Sequence, residues 1–309
     1  MMLETFKTRA LCVQILVASS LMQLAGQAPK APEPVQAAPM SMREQAEQGN
    51  ADAQYRLGYA YLAGQGVLQN SAEAVRWFRK AAEQGNSSAQ CNLGVLYKRG
   101  HGVTQDFAEA VYWFRKSAEQ GDDGGQFNLG VQYPHGEGVP QDFAEAIRWQ
   151  ESAANKGHLL AQVSLGTLYE TGEVVAQNYS EAAKWYRKAA EQGEANAQYL
   201  LGSLYDNGHG VIRDYVESTR WYRRSADQGM ANAQYSLGVR YYLGEGVTQD
   251  YVEAHKWANL AASRSSGTAD KSAADLRETI AKKMTPQHIG EAQRLAREFK
   301  PNLSGRSLK

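Results

Sequence analysis

Paired carboxylates are the raw material of general acid–base catalysis, and this 309-residue chain carries an acidic pair or its Asn/Glu equivalent, three residues apart, at six places. The pairs are Asn70/Glu73, Asp106/Glu109, Asp142/Glu145, Asn178/Glu181, Asp214/Glu217 and Asp250/Glu253. The same spacing is a capping box: the first side chain accepts from a free backbone N–H, and the glutamate reaches back to the cap. Because every pair precedes a helical pattern, starting a helix accounts for them without chemistry. The remaining reactive types fare no better. His101, His135, His158, His209, His255 and His288 include no two at metal-ligand spacing. Gly-x-Gly loops follow helical patterns instead of strands, and an Asp four residues after the second Gly would repel phosphate. Ser-x-x-Lys and Gly-x-Ser-x-Gly are both absent, which removes the motifs of penicillin-interacting serine enzymes and α/β-hydrolases. No catalytic, cofactor or metal site is expected.

Composition adds two limits. Lys plus Arg and Asp plus Glu both total 33, so no long-range field favours nucleic acid or an anionic membrane. Cys12 lies in an N-terminal apolar run and Cys91 in the body of the chain, which leaves no internal disulfide if the first is removed. That N-terminal run has a charged start (Glu4, Lys7, Arg9), an apolar centre from Ala10 to Leu21, then Leu24-Ala25-Gly26-Gln27-Ala28. The layout is that of a secretory signal over residues 1–26, with an uncleaved membrane anchor as the alternative. It implies a periplasmic or secreted mature chain. Residues 27–40, rich in Pro, Ala and Gln, read as an extended linker.

The elements that position everything else announce themselves by repetition. Trp77, Trp113, Trp149, Trp185, Trp221 and Trp257 fall 36 residues apart, as do the Leu-Gly pairs that begin at Leu57, Leu93, Leu129, Leu165, Leu201 and Leu237. A fixed period of this size signals stacked supersecondary units. In each unit a first helix carries Leu57, Gly58 and Tyr61 or their equivalents, with Leu and Tyr four apart on one face. Glycine in mid-helix costs about 1 kcal/mol against alanine, so six of them imply close packing. Gly64 and its counterparts end that helix in the left-handed conformation. The second helix starts at the capping pair and places the tryptophan in the core. Six repeats begin near Asn50, Asn86, Asp122, His158, Glu194 and Met230 and span 50–265. Residues 41–49 read as an N-terminal capping half-repeat, 266–301 as C-terminal capping helices and 302–309 as a tail.

Repeat three departs most. Gly124-Gly125 open its first helix, Pro134 falls near that helix's end, and Gln150 replaces an aromatic residue. Helix interiors disfavour Gly and Pro, so residues 122–140 are expected to be the most flexible part, or a bend.

The string Ala-Gln-x-x-Leu-Gly-x-x-Tyr-x-x-Gly-x-Gly-Val-x-x-Asp, then Ala-x-x-Trp-x-x-x-Ala-Ala-x-x-Gly, resembles the Sel-one-like repeat family, relatives of tetratricopeptide repeats. The resemblance covers about residues 42 to 265. It implies an all-α fold, a right-handed α/α superhelical solenoid whose first helices line a concave face. It also implies an exported adaptor that binds a protein or peptide. Some secreted members with regular cysteine pairs are linked to β-lactams, so an envelope protein that binds or hydrolyses β-lactam or peptidoglycan is the alternative. The missing cysteine pairs argue against it. A purely structural spacer is a third reading.

By the same resemblance, the concave positions are the two the repeat leaves open after the tyrosine of each first helix, together with Tyr59, Thr167, Ser203 and Val239 two residues before it. Expected partner-binding residues are Tyr59, Lys98, Arg99, His135, Thr167, Glu170, Ser203, Asp206, Asn207 and Tyr242. They run basic in repeat two, acidic in repeats four and five, and apolar-aromatic at the ends, which suits a peptide with opposite charges at its two ends. The partner is a protein or peptide, not nucleic acid. The mature chain is expected to be a monomer with no membrane insertion and no cofactor.

Overall fold

The structure, a computed structural model, describes residues 39–264 and 268–302, and every regular element among them is an α-helix. The first eight are α1 (Pro39–Glu47), α2 (Ala51–Ala63), α3 (Ser71–Glu83), α4 (Ser87–Arg99), α5 (Phe107–Glu119), α6 (Asp123–Gln132), α7 (Phe143–Asn155) and α8 (Leu159–Thr171). There follow α9 (Tyr179–Glu191), α10 (Ala195–Asn207), α11 (Tyr215–Asp227), α12 (Ala231–Leu243), α13 (Tyr251–Arg264), α14 (Thr268–Ala281) and α15 (Pro286–Glu298). The expected signal segment, the linker up to residue 38, Ser265 with the next two residues, and the tail beyond 302 lie outside the described residues. Helix α1 begins inside the stretch expected to be linker, at a proline whose fixed φ suits a first helical turn. The described residues form two compact units, divided within α8 between Leu165 and Gly166.

In the first unit, Leu57, Leu93 and Leu129 are fully buried on successive first helices. The mid-helix glycines face the second helix of their own repeat. A Cβ on Gly58 would stand 2.8 Å from the Phe78 ring, and one on Gly94 would stand 2.7 Å from Phe114. That contact is the reason the helices tolerate glycine there.

Helix starts follow half of the expected scheme. Asp106 Oδ1 accepts from the N–H of Ala108 at 2.9 Å and of Glu109 at 3.0 Å, and Asn70 does the same for Ala72 and Glu73. The reciprocal bond from the glutamate does not form. The cap N–H instead donates to the carbonyl of the preceding tyrosine, Asn70 to Tyr61, Asp106 to Tyr97 and Asp142 to Tyr133. With that donor satisfied, the glutamate turns to a cation three residues on, as Glu145 does to Arg148 at 2.8 Å. Such exposed pairs contribute only a few tenths of a kcal/mol.

A buried amide ladder joins one repeat to the next. Gln54 donates to the carbonyl of Ala46 and Gln90 to that of Ala82, both at 3.0 Å. Their side-chain carbonyls accept in turn from Gln84 and Gln120 at 2.7 Å. A buried amide must be paired on both atoms to avoid a desolvation cost; here the carbonyl partner comes from the preceding element and the second amide from the glutamine's own repeat.

Repeat three breaks these rules. Helix α6 has 10 residues against 13 in α2 and α4, and ends before Tyr133, the residue preceding Pro134. Gly125 has a packing reason, because a Cβ there would lie 2.4 Å from Ser117 Oγ. Gln132 is 0% exposed with neither side-chain atom bonded, where α4 has Leu96. Gln150 occupies the slot of Phe78 and Phe114, with its Oε1 buried and unpaired. Each unsatisfied buried atom costs roughly 1–3 kcal/mol. Gln150→Phe with Gln132→Leu is therefore expected to stabilise this repeat by a similar amount. Amides of residues 122–140 should exchange faster than those of 86–104 in the natural chain and slow in the variant. Equal protection of the two repeats in the natural chain would contradict this.

The second unit repeats the scheme. Leu201 and Leu237 are fully buried, and Gln198 and Gln234 donate to Ala190 and Ala226 at 3.1 Å. Val174 stands where other loops have a second glycine, and it does not adopt their positive φ. At the C-terminal end, Thr285 Oγ1 caps α15 by accepting from His288 N at 3.3 Å. Phe299 packs edge-on against Trp257 with ring centroids 5.4 Å apart. The N–H of Asn302 donates to the Asp227 carbonyl at 2.8 Å.

Candidate partner-binding surface

In the first unit, Tyr59 lies in the core beside Tyr55 and Phe78, 8% exposed. Lys98 and Arg99 form the half-buried last turn of α4, where cations favour the helix dipole. Burial pushes the Lys98 ammonium below its ordinary range, Glu137 pulls it back up, and Arg99 adds to the lowering. His135 is exposed in the turn after α6.

The second unit holds the more developed geometry. On α8, Thr167 is buried and Glu170 half-buried, and the Tyr186 hydroxyl of α9 joins them. That hydroxyl donates to Glu170 Oε2 at 2.6 Å and lies 3.1 Å from Thr167 Oγ1. The phenol proton goes to the carboxylate, so the threonine hydroxyl is the donor of the second bond. Tyr186 is fixed from behind, since a Cβ on Gly166 would lie 2.4 Å from its ring. Burial pushes the Glu170 carboxyl above its ordinary range, and the tyrosine hydrogen bond and His209 draw it back.

One repeat later the same residue types recur. Ser203 and Asp206 sit on α10, and the buried Tyr222 of α11 is close enough to act on the Asp206 carboxyl. Here a cation is present: Arg240 Nη2 of α12 lies 3.2 Å from the Asp206 carboxylate, and both side chains are largely buried. Burial raises the Asp206 carboxyl while Arg240 opposes the shift. Arg240 also pairs with Glu245 and lies over the Tyr215 ring, 5.0 Å from its centroid. Asn207 is exposed and donates to the Ser203 carbonyl at 2.8 Å. Tyr242 is half-buried, its ring 5.9 Å from that of Tyr251.

The structure thus brings Thr167 with Glu170, and Ser203 with Asp206. Tyr59, Lys98, Arg99 and His135 belong to the other unit. Sequence reasoning missed Tyr186, Tyr222 and Arg240. The signal was the change from Phe78 and Phe114 to tyrosine at the same slot, a hydroxyl added where packing alone asks for none. Among the described residues, no group of three or more His, Cys, Asp or Glu is placed to hold a metal, and no helix is long and apolar enough to cross a membrane.

Helix pairs of this kind, repeated six times along the chain, define a helical-repeat protein, and comparison with known proteins gives the class. The Sel1 repeat model matches residues 51–86, 87–122, 124–158, 159–194, 195–230 and 231–266. The chain belongs to the Sel1 repeat family, an all-helical solenoid class whose members generally serve as non-catalytic mediators of protein–protein interaction. Among solved structures, a Sel1 repeat protein from Oxalobacter formigenes is 33% identical over 72% of this chain and 90% of its own, with a TM-score of 0.62. A protective antigen with an SLR fold from uropathogenic Escherichia coli is 27% identical over 84% of this chain and 85% of its own, with a TM-score of 0.34. An immunity protein from Pseudomonas aeruginosa is 27% identical over 74% and 81%, with a TM-score of 0.43. No curated protein matches the chain.

Proposed function

We propose that this chain is a non-enzymatic adaptor, exported to the periplasm or beyond, that holds a protein or peptide partner on the ends of its first helices. One observation carries the reading. Residues the repeat fixes are buried packing residues, whereas the helix ends it leaves open carry half-buried charge, basic at Lys98 and Arg99 and acidic at Glu170 and Asp206. Partly desolvated charges select partners more than they stabilise a fold. Export rests on the charged, apolar and small-residue layout of residues 1–28.

The test reverses the charge of Lys98 and Arg99. The full chain and its Lys98→Glu, Arg99→Glu variant would serve as baits against cell extract, after their thermal unfolding is shown to coincide. Loss of a specific prey from the variant is expected. An unchanged prey list would move the site off these helix ends.

A further inference from the structure

Two neighbouring repeats of the second unit carry the same polar constellation, and only one of them is neutralised. Thr167, Glu170 and Tyr186 correspond, 36 residues on, to Ser203, Asp206 and Tyr222. In the earlier repeat the Tyr186 hydroxyl holds the Glu170 carboxylate at 2.6 Å, and in the later one Arg240 pairs with the Asp206 carboxylate at 3.2 Å. In the later repeat the chain supplies its own cation, Arg240, lodged between Asp206, Glu245 and the Tyr215 ring. In the earlier repeat the register of Arg240 is filled by Leu204, which is fully buried, and that of Glu245 by His209. Tyr179 stands in the register of Tyr215, its ring tilted against that of His209 with centroids 4.7 Å apart. Among the described residues no cation lies within ion-pair distance of Glu170, and His209 acts on it only from farther off.

A half-buried carboxylate fixed by a tyrosine hydroxyl, with no cation beside it, is an incomplete site. Desolvated carboxylates gain most from a planar guanidinium, which offers several donors at once and stacks on an aromatic ring. The same chain shows the completed version one repeat away. We propose that Glu170 anchors an arginine side chain of the bound protein or peptide, which approaches from solvent and pairs with Glu170 as Arg240 pairs with Asp206 from within the fold. The inference rests on the adaptor reading and names the partner chemistry at one of its positions.

The test pans a random heptapeptide phage library on the full chain and measures the selected peptides by fluorescence anisotropy. Natural protein is expected to enrich arginine at one recurrent position. Replacing that arginine by citrulline, or using the isosteric Glu170→Gln variant, should weaken binding roughly 10- to 100-fold. Leu204→Arg, which supplies the missing cation from within, should have the same effect, and Glu170→Gln carries the test if that larger change disturbs folding. Selection without arginine enrichment, an empty selection, or equal affinity for Glu170→Gln overturns the inference. If those arginine-independent peptides still lose binding to Lys98→Glu, Arg99→Glu, the adaptor reading stands while the Glu170 anchor falls. If they bind every variant equally, both fall.

Discussion

Trp77→Ala is expected to cost about 3–5 kcal/mol in the first unit. The side chain is 1% exposed and packs with Ala46, Ala53 and Leu57, where α1 meets the first repeat. Its indole N–H has no partner, so the loss is one of packing and cavity formation. Total stabilities of ~5–15 kcal/mol make such a change severe, although a repeat array can respond by unfolding only its N-terminal end. Denaturant titration would read the loss, with Leu68→Ala as the comparison, because Leu68 is 91% exposed and should change little. Equal effects of the two substitutions would contradict the assignment of the tryptophan slot to the core.

Gly102→Ala should be nearly as damaging for a different reason. Its φ is +73°, and a Cβ there would lie 2.3 Å from the carbonyl carbon of Ser71, the first residue of α3 in the preceding repeat. A flexible side chain can move aside, but backbone cannot. Left-handed strain of ~1–2 kcal/mol adds to an overpacking cost of ~1–3 kcal/mol, for a loss of roughly 2–5 kcal/mol. Gly85→Ala is the control. Its φ is +92° with nothing within 4 Å of the added carbon, so only the conformational cost remains. In the second unit, Gly210 and Gly246 approach Tyr179 and Tyr215 as closely. At Gly102, Gly138, Gly210 and Gly246 the second glycine of the loop is therefore a packing contact with the preceding repeat as well as a turn residue.

Periodicity made the fold legible. The 36-residue spacing of Trp77 and Leu57 with their counterparts marks two helices per repeat, and the positive φ of Gly64 and Gly100 ends the first of each pair. The destination of the capping glutamate was not legible. It depends on the Tyr97 carbonyl reaching the Asp106 N–H, a contact between helices that no local pattern encodes. The role of the motif glutamine was hidden in the same way, since Gln90 reaches the Ala82 carbonyl of the preceding repeat only once two repeats are packed together. At the candidate surface, sequence pointed to Glu170 and Asp206 but treated them as alike. Arg240 separates them, and its place beside Asp206 requires three helices to be in position.

The central claim is that the repeat pattern builds a frame and the open positions at its first-helix ends engage the partner. Amide chemical-shift mapping of the full chain, titrated with an arginine-bearing peptide selected as above, tests it most directly. The account predicts shifts concentrated at the C-terminal turns of first helices, around Glu170 and Asn207 in particular, with the Trp185 and Trp221 faces of the second helices unmoved. Shifts confined to the second helices, with the Glu170 turn unchanged, would contradict it.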